Sequence, residues 1–255
     1  MSKDSPARNR GVMMITGGSR GIGAATARLA AARGWAVAVI YRDRTHDAQE
    51  LVAAVAAEGG RAQAIAADVA NESEILRAFA EVDRMGPLTA LVNNAGISAG
   101  VSRVDAITAS QIDQVFAVNV RAALLCAREA IRRMSTRHGG RGGAIINVGS
   151  AASQIGSPGV WVHYAATKGA IDTITLGLAK EVAAEGIRVN CVRPGVVDTE
   201  IHAFRPPGQL EQIAKSVPMG RIGTPDEIAQ SILWLADEEL SPYVTASLID
   251  ARGAY

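Results

Sequence analysis

Short apolar runs alternate with longer helical patterns along the whole chain. The runs are too short for helices and are bounded by polar or glycine-containing turns, which predicts strands. The predicted strands are Val12–Ile15, Ala36–Ile40, Ala62–Ala66, Ala90–Val92, Ala144–Val148, Ile187–Val192 and Leu248–Ile249, and the predicted helices are Ile22–Arg33, Asp47–Glu58, Glu72–Arg84, Ser110–Met134, Val160–Glu185 and Pro225–Ala236. Such alternation is typical of repeated βαβ units around a parallel sheet. We therefore expect an α/β fold with a doubly wound parallel sheet in three αβα layers, formed as a single domain over residues 1–255.

Residues 200–220 interrupt this rhythm, because they contain Pro206, Pro207 and Pro218 together with several glycines. Open α/β folds bind ligands outside the carboxyl ends of their strands, which favours a mobile substrate lid here. A plain surface connection is the alternative. The apolar residues of this segment are interspersed with charged ones, so the sequence leaves the substrate open; they are Ile201, Phe204, Pro206 and Leu210, with His202 and Arg205 between them.

Composition restricts the classes of partner. Charged residues make up 20% of the 255 residues and the formal net charge is +1, so the chain lacks the basic excess of a nucleic-acid-binding protein. The apolar runs are far shorter than the roughly 20 residues that cross a bilayer. The first ten residues are polar, and Cys126 and Cys191 have no paired spacing, which leads us to expect a cytoplasmic protein. The four histidines lack metal-ligand spacing, so no metal site is expected.

A glycine-rich turn, Thr16–Gly23 (TGGSRGIG), follows the first predicted strand and opens directly into the first helix. Glycines allow backbone amides to approach a pyrophosphate, and the positive end of the helix dipole stabilises an anion. This position predicts a dinucleotide site, although tight packing of strand against helix without a ligand is the alternative. The spacing is G-x-x-x-G-x-G rather than the more common G-x-G-x-x-G.

Tyr164 and Lys168 are four residues apart in a predicted helix and therefore share one helix face. A phenol titrates near pH 10, too high for efficient proton transfer at neutral pH. A positive charge about 4 Å away supplies roughly 4 kcal/mol at an effective dielectric constant of ~20, enough to bring a phenol towards neutral pH. Ser150, after the strand Ala144–Val148, is suited to donate a hydrogen bond to a substrate oxygen, or else to cap a loop.

These motifs occur in the order found in the short-chain dehydrogenase/reductase family. The turn TGGSRGIG, the tetrapeptide Asn93-Asn94-Ala95-Gly96, Ser150 and the Tyr164-x-x-x-Lys168 pair resemble its single-domain branch, to which 3-oxoacyl-ACP reductases and glucose dehydrogenases belong. The resemblance implies a Rossmann-like fold and a homotetramer. It also implies that Tyr164 transfers a proton, that Ser150 and Lys168 assist it, and that Asn119 supports Lys168 through a water. Its residue type alone makes Asn119 an ordinary satisfied polar residue of a helix.

The end of the second strand bears on the choice of nicotinamide cofactor. Tyr41 stands where relatives that use NAD usually carry aspartate, and Arg42 and Arg20 are cations suited to a 2′-phosphate. NADP(H) is therefore favoured, with NAD(H) still possible because Asp43 is close. The resemblance implies that the cofactor is bound by Gly17, Ser19, Arg20, Gly21, Ile22, Gly23, Tyr41, Arg42, Asp68, Val69, Asn94, Ala95, Gly96, Tyr164, Lys168, Pro194, Gly195, Val197 and Thr199.

The sequence thus predicts an NADP(H)-dependent oxidoreductase that moves a hydride between the nicotinamide and a small-molecule carbonyl or secondary alcohol. A regulatory protein that senses NADP(H) without catalysis is the alternative. Three positions depart from the family pattern. Ala246 replaces a usual glycine, Ala251-Arg252 replaces a usual Gly-Gly, and Gly149 replaces a common serine beside Ser150. The first two changes leave the C-terminal subunit contact open, and the third affects the substrate pocket.

Overall fold

The computed structural model describes residues 10–202 and 208–255. Seven parallel strands form one sheet in the order β3-β2-β1-β4-β5-β6-β7. The strands are β1 (Val12–Thr16), β2 (Ala36–Tyr41), β3 (Arg61–Ala66), β4 (Leu88–Asn93), β5 (Gly143–Val148), β6 (Ile187–Pro194) and β7 (Leu248–Ala251). The chain leaves β1 in one direction to build β2 and β3 and returns to build β4 on the other side. The predicted doubly wound fold is confirmed.

Nine helices lie in the described ranges. They are α1 (Gly21–Ala32), α2 (Thr45–Ala57), α3 (Glu72–Met85), α4 (Ala109–Phe116), α5 (Ala122–Met134), α6 (Ala152–Ile155), α7 (Val162–Val182), α8 (Gln209–Ser216) and α9 (Pro225–Ala236). Helices α3, α5 and α7 pack on one face of the sheet, and α1, α2 and α9 pack on the other. None of the helices in these ranges is both long and apolar enough to cross a bilayer.

Both faces of the central strands are buried because side chains alternate along a strand with a period of two. In β1, Val12 and Met14 join the core under α3 and α5, whereas Met13 and Ile15 join the core under α1 and α9. A parallel strand covered on both faces is therefore a continuous apolar run, which is the pattern seen in the sequence.

The helix bounds follow from local capping chemistry. Thr224 caps α9 in a reciprocal capping box with Glu227, and Pro225 occupies the first helical position. The helix predicted over Ser110–Met134 is instead two α-helices joined by a wide π turn, Ala117–Arg121. The predicted helix Val160–Glu185 begins at Val162, and its last three residues form a 3₁₀ turn.

The proposed lid segment contains more regular structure than the sequence analysis predicted. Glu200–His202 form a 3₁₀ turn and Gln209–Ser216 form α8, where only a loop was expected. A pair of apolar residues one turn apart, Leu210 and Ile213, was the available signal for this short helix. Phe204, Arg205, Pro206 and Pro207 lie outside the described residues.

Candidate active site

A cavity of about 1060 Å³ opens at the carboxyl ends of the strands, where β1 and β4 diverge into loops. Doubly wound sheets bind ligands at this position, because the connections on the two sides of it run to opposite faces. Every predicted cofactor residue except Gly23 lines the cavity, and so do Ser150, Tyr164 and Lys168. The sheet thus brings together motifs that are far apart in the sequence.

The glycine turn both packs tightly against its neighbours and faces the cavity. Gly17 has a φ of +61°, and a Cβ atom there would lie 3.0 Å from Ala95 Cα. A Cβ atom on Gly23 would lie 2.3 Å from the Gly17 carbonyl oxygen, so Gly23 is required by close packing alone. Gly17 and residues 19–22 line the cavity, with the N-terminus of α1 behind them.

One hydroxyl group joins this turn to the loop after β4. Thr16 Oγ1 accepts hydrogen bonds from the backbone N–H groups of Asn94 and Ala95, both at 3.0 Å. Asn94 Nδ2 in turn donates to the carbonyl oxygens of Thr16 and Gly17, both at 2.9 Å. The Asn-Asn-Ala-Gly motif is therefore the partner that holds the glycine turn in shape.

Tyr164 and Lys168 lie on one face of α7 at the cavity wall. Their exposed fractions are only 8% and 4%. Lys168 Nζ donates to the Val148 carbonyl oxygen at 2.8 Å and lies 5.5 Å from the centre of the Tyr164 ring. The helix therefore holds a cation close to the phenol, out of bulk solvent, at the end of β5.

Ser150 follows β5 on the same wall. Its Oγ accepts a hydrogen bond from the Ala152 backbone N–H at 3.1 Å at the start of α6. The capping role considered for Ser150 is therefore present, and it uses the oxygen rather than the hydroxyl hydrogen. That hydrogen is suited to a substrate oxygen in the cavity.

Asn119 lies in the π turn and is 2% exposed. Its Oδ1 accepts from Ile97 N–H at 2.9 Å, and its Nδ2 donates to Ile97 O at 2.9 Å and to Thr167 Oγ1 at 3.0 Å. The side chain thus ties the loop after β4 to α7, one residue from Lys168. Because its amide is engaged by these partners, any link from Asn119 to Lys168 must use other atoms, and its role in catalysis stays a prediction.

Three guanidinium groups surround the end of the cavity beside β2. Arg42 pairs with Asp43 at 2.6 Å, and this hydrogen bond raises the pKa of Arg42 despite partial burial. Arg20 pairs with Glu200, and Arg44 NH2 lies 3.2 Å from the same Glu200 carboxylate. Arg44 was not among the predicted cofactor residues, although its position three residues after the end of β2 was a visible signal.

Comparisons with known proteins match almost the whole length of the chain. A family model described as enoyl-(acyl carrier protein) reductase matches residues 17–253. An uncharacterized oxidoreductase of Escherichia coli, YgfF, is 49% identical over 244 residues, covering 95% of this chain and 98% of the relative. The chain belongs to the short-chain dehydrogenase/reductase family. It is therefore an oxidoreductase by family.

Two further relatives extend the comparison within the short-chain dehydrogenase/reductases. The 3-oxoacyl-[acyl-carrier-protein] reductase of a Synechocystis species is 34% identical over 243 residues, covering 95% of both chains. The crystal structure of a blue fluorescent protein from a metagenomic library, in complex with NADPH, superposes with a TM-score of 0.88 at 32% identity. It covers 98% of this chain and 99% of that chain. The whole described fold is thus that of the family.

The other end of the cavity in this short-chain dehydrogenase/reductase has an aromatic wall. The Trp161 ring lies 5.6 Å from the Tyr164 ring and stacks on the His202 ring at 6.2 Å. Gly149 also lines the cavity, and a Cβ atom there would be 2.7 Å from Cys191 Sγ. The serine that often stands at this position in the family would therefore require the Cys191 side chain of β6 to move. This residue shapes the wall by packing.

Proposed function

We propose that this protein is an NADP(H)-dependent oxidoreductase that transfers a hydride between the nicotinamide and a carbonyl or secondary alcohol, with Tyr164 as general acid and base. The observation that carries the proposal is the meeting of Tyr164, Lys168 and Ser150 on one wall of a cavity whose opposite end is a glycine turn at a helix N-terminus. A nucleotide phosphate and a reacting oxygen can thus be held in one cleft.

The residues present fit a dinucleotide. Gly17 and Gly21 have positive φ angles and leave the cavity floor without side chains, so that a pyrophosphate can approach the backbone amides. At the β2 end, Arg20, Arg42 and Arg44 can bind a 2′-phosphate, for which guanidinium groups are well suited. The NADPH complex of the metagenomic relative supports this choice of cofactor. When bound, NADPH supplies the hydride for the carbonyl carbon.

Side chains of the protein then supply the proton and stabilise the negative charge that develops on oxygen. Tyr164 donates its hydroxyl proton to the substrate oxygen, and the nearby ammonium of Lys168 stabilises the phenolate that remains. Lys168 Nζ lies 5.5 Å from the centre of the Tyr164 ring, and a unit charge at about that distance is worth about 3 kcal/mol at an effective dielectric constant of ~20. Ser150 donates a hydrogen bond to the same oxygen and stabilises its developing charge. We assign Asn119 to the route that returns a proton to Lys168 through a water.

The substrate is a small molecule held between Ser150 and the segment 200–220, which we propose acts as a lid. Gln209, Gln212 and Ile213 of α8 line the same cavity as Tyr164, so movement of α8 would open or close it. The activity of the Synechocystis relative, a 3-oxoacyl-[acyl-carrier-protein] reductase, makes ketones the first compounds to test.

We also propose a homotetramer. Helices α4, α5 and α7 present the half-exposed apolar side chains Ile112, Phe116, Leu124 and Leu176. These helices also bear or flank Asn119 and Tyr164, so that pairing this face with a second copy would bury apolar surface and support the site. Sedimentation of the purified protein measures the oligomeric state directly.

The Tyr164→Phe variant tests the proposed chemistry. It should still bind NADPH but lose turnover by about a thousand-fold, since general acid-base catalysis typically contributes about 10²- to 10⁴-fold. Turnover is followed by NADPH absorbance over a screen of ketones and polyols. Tyr243→Phe is the matched control, because Tyr243 is fully exposed and does not line the cavity.

Near-normal turnover of Tyr164→Phe on a substrate of the wild type would refute the assignment. NADPH binding without turnover of any carbonyl or alcohol by the wild type would instead favour the sensor.

A further inference from the structure

A second, much smaller cavity lies behind Lys168. Its volume is about 10 Å³, which suffices for one water molecule. Its lining includes an unusual share of polar residues for a site inside the core, namely Thr16, Asn93, Asn119, Cys126 and Lys168. Polar cavities of this size hold water, whereas apolar ones stay dry.

Asn93 presents a polar atom that needs a partner. Its side chain is 8% exposed, and its Nδ2 donates to Asn147 Oδ1 at 2.9 Å and to Ala123 O at 3.3 Å. Both of these partners are acceptors, which fixes the orientation of the amide. Within the described residues, Oδ1 of Asn93 is buried and has no hydrogen-bond partner. A buried acceptor without a donor destabilises the fold unless a water satisfies it.

We propose that this small cavity is an internal water site, in which one water donates a hydrogen bond to Asn93 Oδ1 and accepts one from Lys168 Nζ. Both residues line this cavity, and its volume matches that of one water, so a single molecule there lies beside both side chains. Lys168 uses one of its three N–H donors on the Val148 carbonyl oxygen and can direct another at the water. Asn119 also lines this cavity, so the water is the one already assigned between Asn119 and Lys168, and the new element is that Asn93 orients it. Asn93 is then a positioning residue for the proton transfer assigned to Tyr164, and this role rests on the proposed function.

The amide oxygen sets the direction of that water. Because Oδ1 can only accept, the water must point a hydrogen at Asn93 and a lone pair at Lys168. This orientation favours the charged ammonium, which stabilises the Tyr164 phenolate. Asn93 is itself held by Asn147, whose Nδ2 donates to Thr175 Oγ1 on α7 at 2.9 Å. A chain of side chains from β4 through β5 to α7 thus fixes the water's acceptor.

Other titratable groups surround Lys168 without replacing the water. Cys126 on α5 and Cys191 on β6 stay neutral, because burial raises the pKa of each thiol to about 12. Asp172 lies one turn farther along α7, where it pairs with Arg193 of β6 at 3.4 Å. The Asp172 carboxylate is therefore already paired with Arg193.

A cavity-filling variant tests the proposal without touching Asn93 or Lys168. Cys126→Val adds about one methyl group at the cavity wall and should displace the water, whereas Cys126→Ser is a control that leaves the space and its polarity. High-resolution crystal structures of the three proteins are compared, together with ¹³C NMR titration of the Tyr164 ring carbon Cζ. The signal is assigned by its loss in Tyr164→Phe.

The wild type and Cys126→Ser should show one ordered water in hydrogen-bond contact with Asn93 Oδ1 and Lys168 Nζ. In Cys126→Val that water should be absent, and the midpoint of the Tyr164 titration should rise by about half a pH unit or more. If overpacking prevents Cys126→Val from folding, Ala122→Val fills the same cavity from the start of α5.

A dry cavity in the wild type overturns the proposal, and so does an unchanged Tyr164 titration after the water has been displaced. Neither measurement requires a substrate. If both results are as expected but no carbonyl or alcohol is turned over by the wild type, the water site stands and the proposed enzymatic function fails.

Discussion

The Glu200 carboxylate occupies the position at which a cofactor phosphate is expected. It pairs with Arg20 of the glycine turn and with Arg44 beyond β2, and all three side chains are about half exposed. The same two guanidinium groups are proposed to bind the 2′-phosphate of NADP(H). Binding of that phosphate must therefore displace Glu200, so that the free energy of the two ion pairs is lost before the new contacts form.

Glu200→Gln should consequently strengthen NADPH binding. An exposed ion pair contributes about 0.5 kcal/mol, so the two pairs together oppose the phosphate by about 1 kcal/mol. A difference of this size corresponds to a Kd for NADPH that is about five-fold lower in the variant. The Kd for NADH should not change, because NADH lacks the 2′-phosphate.

Isothermal titration calorimetry with both cofactors, at low and at high salt, measures this effect. The gain for NADPH should shrink at high salt, since the charges are exposed and screened. Glu211→Gln is the matched control, because it removes one exposed negative charge from α8 without touching Arg20 or Arg44. An equal gain for NADH, or an equal gain in the control, would show that overall charge rather than the displaced carboxylate is responsible.

Two further predictions concern stability. Ala246 has a φ of +58°, which costs a non-glycine residue about 1–2 kcal/mol. Ala246→Gly removes this strain but increases the conformational entropy of the unfolded chain, so the variant should be more stable by roughly 0.5 kcal/mol. Its Tm in calorimetry should rise by about 1–2 °C. Gly159→Ala, at a φ of +71°, should lower Tm, and a lower Tm for Ala246→Gly would refute the strain argument. Burial tends to raise the pKa of Glu129, but hydrogen bonds from Arg133 and Arg128 outweigh it and lower that pKa. The ion pairs of the Glu129 carboxylate thus stabilise the fold above the ordinary pKa of 4.5, and this stabilisation is lost as the pH falls below that value. Glu129→Gln should therefore lower the free energy of urea unfolding at pH 7 by about 1–3 kcal/mol. It should also weaken the loss of stability between neutral and acidic pH. If the variant loses as much stability towards acidic pH as the wild type, the assignment to Glu129 is wrong.

The strands and most helices could be predicted because their signals are local. The central strands β1, β2 and β4 are apolar runs bounded by turn residues, and the Thr224-Pro225 start of α9 is a local capping signal. The right-handed preference of βαβ units limits the strand orders open to such a chain, and the sheet has the order β3-β2-β1-β4-β5-β6-β7. The position of the cavity at the end of β1 and β4 is a consequence of that order.

The missed features depend on partners that are distant in the sequence. The π turn at Asn119 is stabilised by hydrogen bonds to Ile97 and Thr167, so the helical pattern of residues 110–134 alone gave no sign of it. Arg20 and Glu200 are 180 residues apart, and a sequence pattern cannot show that they pair. The unpaired oxygen of Asn93 likewise follows from tertiary packing, since the motif alone indicates only a turn.

The hydrogen bonds of Thr16 have a consequence for how molecules enter and leave the cleft. Because one threonine hydroxyl fastens the glycine turn to the loop after β4, these two walls form a single rigid block. The opposite wall, from the end of β6 to α8, is joined to that block at Glu200 by solvent-exposed ion pairs, which break easily. We therefore expect the cleft to open at this weaker contact rather than at the glycine turn.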